Sequence, residues 1–248
     1  MVISLISDLH LDFFETRQDY AFLKSLPSKG VDYLLIAGDT GEFRKEERIK
    51  EWFNILSDKY KDVVFITGNH EYYKSYPWEV EDICRKLENT FCNVKYLNNK
   101  TVYLDDNIRL HGGTMWFKND PGNVHYEVTK GFSDFCYINR ATPWIYEQNA
   151  KFTKLLEGNL KSGDLILTHH APSSICIDEK FYDSDLNRFF VSNMEKFIVD
   201  MEPSYWLHGH MHTPMEKQIH KTKIICNPLG YPRERNPNGY QQKLIEII

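Results

Sequence analysis

Five short groups of metal-binding residue types stand along this 248-residue chain. They are Asp8-Leu9-His10, Gly38-Asp39, Gly68-Asn69-His70-Glu71, Thr168-His169-His170 and Gly209-His210-Met211-His212. Carboxylate, amide and imidazole groups are ligands of divalent cations, and imidazoles also exchange protons near neutral pH. A single group of this kind carries no signal, but five in one chain indicate a metal centre.

Each of these groups directly follows an apolar run typical of a buried β-strand. The runs cover residues 2–7, 33–37, 63–67, 165–167 and 205–207. In open α/β sheets, sites form beyond the carboxyl ends of the strands. We therefore predict that five strand ends bring the polar groups together around a pair of metal ions.

The order of the groups resembles that of the calcineurin-like metallophosphoesterase family. The family pattern is D-x-H, G-D, G-N-H-[DE], a lone His after a strand, and then G-H-x-H. All five steps occur here in that order from Asp8 to His212, so the resemblance covers most of the chain. The ordered set is specific, whereas D-x-H or G-D alone is not. Residues 226–231 are also similar to the tail of a bacterial or phage subgroup.

The resemblance implies two metal sites that share one carboxylate. The ligands of the first would be Asp8, His10, Asp39 and His212. The ligands of the second would be Asp39, Asn69, His169 and His210. Asp39 would thus bridge both ions, and His70 would be the general acid beside the second.

This donor set suits the hydrolysis of phosphoesters. Two divalent ions roughly 3.5–4 Å apart can bridge a hydroxide and hold phosphoryl oxygens for in-line attack. Two such ions, two carboxylates and one hydroxide leave a charge of about +1, so the cleft should attract anions. We expect hydrolysis of a phosphomonoester or phosphodiester by the metal-bridging hydroxide, with His70 protonating the leaving group.

The mixed nitrogen and oxygen ligands contain no thiolate. Such a set suits manganese, iron, cobalt, nickel or zinc better than magnesium or calcium. The resemblance favours manganese as the cofactor.

Two other histidines compete for the ligand position given to His169. His170 is its neighbour and must point elsewhere; the family form T-H-x-x-P, completed by Pro172, favours His169. His111 begins a His-Gly-Gly sequence like one that supplies a ligand in protein phosphatases. We interpret His111 as a strand-end residue, because otherwise the pair at 169–170 has no role.

The sequence also offers candidates for residues that orient the acid histidine or contact the substrate. Glu42 follows Asp39 by three residues, where the protein-phosphatase branch has an Asp that orients the acid histidine. Aromatic residues near the motifs are candidates for a substrate wall: Tyr72, Tyr73, Trp116 and Phe117. Arginines that could reach a phosphate are Arg140, Arg188, Arg233 and Arg235.

Composition narrows the partners and the compartment. The net charge of −5 argues against a long basic groove, so a small phosphoester is a better partner than long duplex nucleic acid. The five cysteines have no C-x-x-C spacing, which favours reduced thiols and a cytoplasmic protein. Neither a leader peptide nor an apolar run of about 20 residues is evident, so we expect no membrane association. Oligomeric state cannot be read from these features.

Strand and helix patterns alternate in the first third of the chain, which predicts an α/β protein with a parallel sheet. We expect one domain over residues 1–248, with an irregular insertion at about 113–142 over the site. The resemblance implies a four-layer α/β/β/α sandwich of two mixed sheets flanked by helices. Predicted helices cover residues 44–60, 77–89, 143–156 and 188–199; later strands cover 94–97, 102–104, 108–111, 215–220, 223–226 and 240–247.

Three other functions use the same residues. A protein serine/threonine phosphatase would share the centre, but the Asp-Arg-Gly sequence of that branch is missing after Gly38-Asp39. A nuclease would have to act on a nucleotide or a short strand. A non-catalytic scaffold would be expected to lose ligands or the acid, and here all of them are present.

Overall fold

The apolar runs form the strands of two β-sheets in the computed structural model, which describes residues 1–15 and 17–247. The strands are β1 (Val2–Ile6), β2 (Tyr33–Ala37), β3 (Asp62–Ile66), β4 (Val94–Tyr96), β5 (Lys100–Tyr103), β6 (Arg109–Gly113), β7 (Leu165–Thr168), β8 (Tyr205–His208), β9 (Met215–Ile219), β10 (Thr222–Cys226) and β11 (Lys243–Glu246). The sheet orders are β11-β1-β2-β3-β4 and β5-β6-β7-β8-β10-β9. Both sheets are mixed: β11, β5 and β9 are antiparallel to their neighbours, and the other neighbouring strands pair in parallel.

Helices cover the outer faces of both sheets. They are α1 (Gln18–Ser25), α2 (Glu46–Lys59), α3 (Pro77–Thr90), α4 (Val124–Thr129), α5 (Ser133–Tyr137), α6 (Ala141–Asn159) and α7 (Glu195–Met201). Helices α1 to α3 pack on the first sheet, and α6 and α7 pack on the second. None of the helices in the described part is long and apolar enough to cross a lipid bilayer.

The central strands, such as β2 and β7, are apolar on both faces because each sheet is buried on both sides there. In β2, Leu35 contributes to the core between the sheets, together with Leu167 and Leu207 of the second sheet. The alternate residues Leu34 and Ile36 pack in the cluster that contains the helices. This arrangement confirms the predicted four-layer α/β/β/α sandwich.

The helix predicted at 188–199 is wrong over its first half. Residues 185–189 form a 3-10 turn, and α7 begins only at Glu195. Between them the chain pairs with Ala171, whose N–H donates to Phe190 O at 3.1 Å and whose carbonyl accepts from Ser192 N at 3.0 Å. Tertiary pairing therefore overrides the local helical pattern. The insertion predicted as irregular also differs, since residues 113–142 include the short helices α4 and α5.

The carboxyl ends of β1, β2, β3, β7 and β8 meet at one edge of the sandwich. The Asp8 N–H donates to Gly38 O at 3.0 Å, which joins the first two strand ends. The Gly209 N–H donates to His169 O at 3.1 Å in the second sheet. His169 Nδ1 also lies 2.8 Å from Ala37 O, which links the two sheets at the site.

Candidate metal centre

Four side chains form a first cluster of ligand atoms, all within 4.8 Å of one another: Asp8, His10, Asp39 and His212. His10 Nε2 lies 3.0 Å from His212 Nε2 and 3.8 Å from Asp39 Oδ2. His212 Nε2 lies 3.4 Å from Asp8 Oδ1. These residues come from three strand ends and span nearly the whole chain.

A second cluster forms on the other side of Asp39. His169 Nε2 lies 3.4 Å from Asp39 Oδ1, 3.0 Å from Asn69 Oδ1 and 3.2 Å from His210 Nδ1. Asp39 therefore presents one carboxylate oxygen to each cluster. The structure thus brings together all seven side chains that the sequence pattern singles out as ligands.

The chemistry of these donors fits divalent cations. In both clusters two imidazole nitrogens face each other, at 3.0 Å between His10 and His212 and at 3.2 Å between His169 and His210. Burial opposes the charge of His169 and of His212, yet the adjacent carboxylates raise the pKa of these rings to about 10 and about 9. Burial lowers the pKa of His10 to about 3, so its imidazole is neutral at physiological pH. Burial opposes the charge of Asp39, yet the adjacent His169 holds the pKa of that carboxyl well below its usual range. Carboxylate oxygens and imidazole lone pairs that converge in this way are suited to bind metal ions.

The backbone at the site is strained. Positive φ angles occur at Asp8 (51°), His10 (44°), Asp39 (54°), His210 (69°) and His212 (49°). Non-glycine residues rarely adopt this left-handed conformation, and its cost is borne by the rest of the fold. The strain turns each side chain sharply away from its strand and toward the centre.

Three glycines make room for the clusters. A Cβ at Gly68 would lie 2.1 Å from Asp39 Oδ1 and 2.7 Å from His169 Nε2. A Cβ at Gly38 would lie 2.6 Å from Gly68 N, and one at Gly209 would lie 2.6 Å from Ala37 O. The glycine that begins three of the five polar groups is therefore required by close packing of the strand ends.

The substitution Gly68→Ala is expected to displace the Asp39 carboxylate. We expect lower metal content and a loss of about 1–3 kcal/mol in the free energy of unfolding, as for other overpacked sites. Gly158→Ala in α6 is the matched control, because a Cβ there meets nothing within 4 Å. Plasma mass spectrometry and denaturant titration measure the two effects. A Gly68→Ala protein with wild-type metal content would contradict this account.

Glu71 ties the loops after β2 and β3 together. Its buried carboxylate accepts hydrogen bonds from the backbone N–H groups of Asp39 (3.1 Å), Thr40 (2.7 Å) and Gly68 (2.8 Å). This role explains why an acidic residue completes the Gly-Asn-His-Glu group: it fixes the position of the shared ligand.

Several residues that support the ligands were not identified from the sequence. Asn69 Nδ2 donates to Asp134 Oδ1 and to the Tyr73 hydroxyl, each at 2.9 Å, which leaves Asn69 Oδ1 facing the second cluster. Glu234 Oε2 lies 2.7 Å from His212 Nδ1 and fixes the orientation of that ring. Partners of this kind orient metal ligands. Asp134 lies in the insertion, where no spacing signal could have found it.

His70 lies between the clusters and the open cleft. Its backbone N–H donates to Asp39 Oδ1 at 2.9 Å, and its Nε2 lies 2.8 Å from the Tyr231 hydroxyl. Its ring packs against Tyr73, with the centroids 4.3 Å apart. Tyr231 belongs to residues 226–231, the segment that resembles the tail of a bacterial or phage subgroup. Its contact with His70 was not predicted from the sequence.

The expected contact between Glu42 and His70 is absent from the described hydrogen bonds and ion pairs. Glu42 instead accepts from Lys74 Nζ at 2.8 Å and pairs with Arg44. The two cations draw the carboxylate toward the surface, so the prediction for Glu42 is wrong.

The competing histidines occupy supporting positions. His111 lies 2.9 Å from Asp164 Oδ2 and 2.8 Å from the Thr101 hydroxyl, which places it in a structural network on β6. The ring of His170 packs 4.4 Å from that of His210, and its Nδ1 lies 3.2 Å from Thr114 O. The ring nitrogens of His111 and His170 therefore have other partners than those of His169, whose Nε2 lies near Asp39 and Asn69.

A cavity of about 350 Å³ opens beside the clusters. Its lining includes Asp39, Asn69, His70, Tyr73, Phe132, Ser133, Ile177, Phe181, Ser184, Leu186, Asn187, Phe190, His210, Met211, His212, Tyr231 and Glu234. Of the aromatic residues proposed as a substrate wall, Tyr73 lines the cavity. Tyr72, Trp116 and Phe117 are buried in the core instead.

Comparison with known proteins agrees with this geometry. The model of the calcineurin-like phosphoesterase family matches residues 1–214. An uncharacterized protein, L509, of Acanthamoeba polyphaga mimivirus is 28% identical over 265 residues, covering 95% of this chain and 93% of that protein.

Solved structures share the fold at low sequence identity. The phosphopantetheinyl hydrolase PptH of Mycobacterium tuberculosis superposes with a TM-score of 0.70 and 16% identity, covering 98% of this chain and 95% of that one. The protein TT1561 of Thermus thermophilus superposes with a TM-score of 0.58 and 13% identity, covering 92% and 88%. The family match over most of the chain, together with the cluster of metal-binding side chains, shows that this protein belongs to the calcineurin-like phosphoesterases, a family of metal-dependent hydrolases.

Proposed function

We propose that the protein is a binuclear metal-dependent phosphoesterase that hydrolyses a small phosphomonoester or phosphodiester. The observation that carries this proposal is the position of Asp39, whose Oδ2 lies 3.8 Å from His10 Nε2 and whose Oδ1 lies 3.4 Å from His169 Nε2. A carboxylate with one oxygen in each of two clusters is suited to bridge two cations. A single-metal site would leave one cluster of converging donors unexplained.

The residues divide into two ligand sets. Asp8, His10, Asp39 and His212 would hold one ion. Asp39, Asn69, His169 and His210 would hold the other. When bound, such a pair of ions supplies a water of lowered pKa and neutralises charge on the phosphoryl group. Manganese is the metal we propose, with iron, zinc, cobalt and nickel as alternatives to be compared.

The position of His70 supports a role in protonating the leaving group. It lines the cavity next to the ligands, and its Nε2 is held by the Tyr231 hydroxyl at 2.8 Å. A leaving oxygen of the substrate can take the place of that hydroxyl and receive a proton from Nε2. The packing of His70 against Tyr73 keeps the ring aimed into the cavity.

Removal of metal is expected to abolish hydrolysis reversibly. Protein stripped with a chelator should lose turnover of 4-nitrophenyl phosphate and bis-4-nitrophenyl phosphate and regain it as metal is added back, with a plateau at about two equivalents. Each candidate metal is titrated separately while 4-nitrophenol release is followed. A plateau at one equivalent would refute a binuclear centre, and full activity without metal would refute the whole proposal.

Hydrolysis of other substrates by the same metal-loaded protein separates the related functions. A phosphopeptide substrate tests for a protein phosphatase, and a short single strand tests for a nuclease. A metal-loaded protein without turnover on any of these substrates would favour a binding scaffold.

The cysteines are all unpaired, which agrees with the reducing compartment from which we infer a cytoplasmic location.

A further inference from the structure

The cavity beside the metal-binding clusters has two chemically different sides. Its floor is formed by polar residues of the clusters, among them Asp39, Asn69 and His210. Its wall is formed largely by apolar side chains: Phe132, Ile177, Phe181, Leu186, Phe190 and Met211. The floor is suited to a phosphoryl group, and the wall must therefore face the organic part of a bound ester.

None of the residues that form the wall carries a positive charge that could meet a second anionic group. None of the lining residues is Lys or Arg, and the polar groups other than those of the clusters and His70 are those of Tyr73, Tyr231, Ser133, Ser184, Asn187 and the acidic Glu234. Lys180 lies over the ring of Phe181, with its Nζ 4.9 Å from the ring centroid, but this Nζ is also 3.1 Å from Asp178 Oδ2, so its charge is paired with a carboxylate. A carboxylate or second phosphate in this cavity would lose its hydration without gaining a counter-charge.

The arginines suggested by the sequence do not supply the missing charge either. Arg188 lies 3.4 Å from Asp120 Oδ1, and Arg235 stacks over Phe14 with its guanidinium carbon 4.0 Å from the ring centroid. Arg140 lies over the ring of Trp78, at 5.9 Å. Neither these three nor Arg233 is among the residues that line the cavity.

The size of the cavity limits the organic group. A volume of about 350 Å³ accommodates about a dozen non-hydrogen atoms, if each takes roughly the 30 Å³ that a water molecule occupies in the liquid. After the five atoms of a phosphate, space remains for a group the size of a benzyl ring. Longer substituents would extend past Phe181, which is 51% exposed at the rim.

We propose that the substrate is the phosphoester of an uncharged, largely apolar alcohol or phenol, and that the cavity discriminates against organic groups that carry a further negative charge. This inference rests on the proposed phosphoesterase function and specifies its substrate class. It places nucleoside polyphosphates and nucleic acid strands among the poor substrates, because their additional phosphates would meet the uncharged wall.

The test compares two nearly isosteric substrates, benzyl phosphate and 4-carboxybenzyl phosphate. Each is also offered as its methyl diester, so that the result does not depend on a preference for monoesters or diesters. Turnover by metal-loaded protein is followed by chromatography of the aromatic species. We expect kcat/KM to be roughly tenfold or more higher for the benzyl compounds, since a carboxylate that loses its hydration without gaining a partner is disfavoured.

Two variants test whether the wall residues cause the discrimination against the carboxybenzyl substrates. Phe181→Lys introduces a cation at a half-exposed lining position. It is expected to raise kcat/KM for the carboxybenzyl substrates and so to reduce the difference in kcat/KM between the benzyl and carboxybenzyl compounds. Tyr182→Lys is the matched control, because Tyr182 is adjacent, 57% exposed and not part of the lining. It should leave the preference unchanged.

The outcomes separate this inference from the function on which it rests. Equal kcat/KM values for the benzyl and carboxybenzyl compounds, or the same shift in both lysine variants, would overturn the inference while metal-dependent hydrolysis stood. Failure of the metal-loaded protein to hydrolyse these esters and the 4-nitrophenyl esters alike would overturn the proposed function and the inference together.

Discussion

Replacing Asp39 with alanine is expected to remove metal from both clusters and to lower kcat/KM by more than a hundredfold. Its two carboxylate oxygens face different clusters, so the loss of this side chain should disturb both. Loss of a residue that merely orients a ligand typically costs 10–100-fold in affinity or activity, and loss of a shared ligand should cost more. Metal content by plasma mass spectrometry and turnover of bis-4-nitrophenyl phosphate measure the effect.

A buried carboxylate elsewhere provides the control for damage to the fold. Asp19 is fully buried and accepts hydrogen bonds from Arg48 Nε and Trp52 Nε1. Asp19→Asn should lower stability while metal content per folded protein stays near the wild-type value. An Asp39→Ala protein that retained two equivalents of metal would show that Asp39 does not bridge two ions.

Replacing His70 with asparagine is expected to reduce kcat by roughly 10²–10⁴-fold, the usual contribution of a general acid, while metal content stays nearly unchanged. The ring is bonded to Tyr231 and packed on Tyr73, but its side chain is not part of either ligand set. The loss should be largest for esters of alkyl alcohols, whose leaving oxygen needs a proton. It should be smallest for 4-nitrophenyl esters, because nitrophenolate leaves without one.

The dependence on the leaving group distinguishes an acid from a residue that only supports the site. Kinetics with benzyl and 4-nitrophenyl phosphates supply the comparison, and the exposed His125 provides the control substitution His125→Asn. Uniform losses for both leaving groups would argue that His70 binds the phosphoryl group instead. Loss of metal in the His70→Asn protein would show that it is a ligand.

The sequence by itself predicted a parallel sheet and the residues that could gather at one edge, while the four-layer sandwich was implied by the family resemblance. Apolar runs such as 33–37 and 63–67 predict parallel strands, and the carboxyl ends of parallel strands meet at one edge of a sheet. The polar groups that follow those runs therefore had to lie close together once the strand order was set. The glycine that begins three of the groups is explained by the same geometry, since a Cβ added at Gly68 would lie 2.1 Å from Asp39 Oδ1.

Only the tertiary structure decided which residues support the ligands and what faces the substrate. Asp134 meets Asn69 across 65 residues, and Tyr231 meets His70 across 161, with no periodicity to connect the partners. Glu42 has the expected spacing but pairs with Lys74 and Arg44, because nearby charges rather than spacing decide where a flexible carboxylate points. The first half of the helix predicted at 188–199 does not form, because this segment pairs with Ala171 instead. A short local pattern specifies only a weak preference, and tertiary contacts outweigh it.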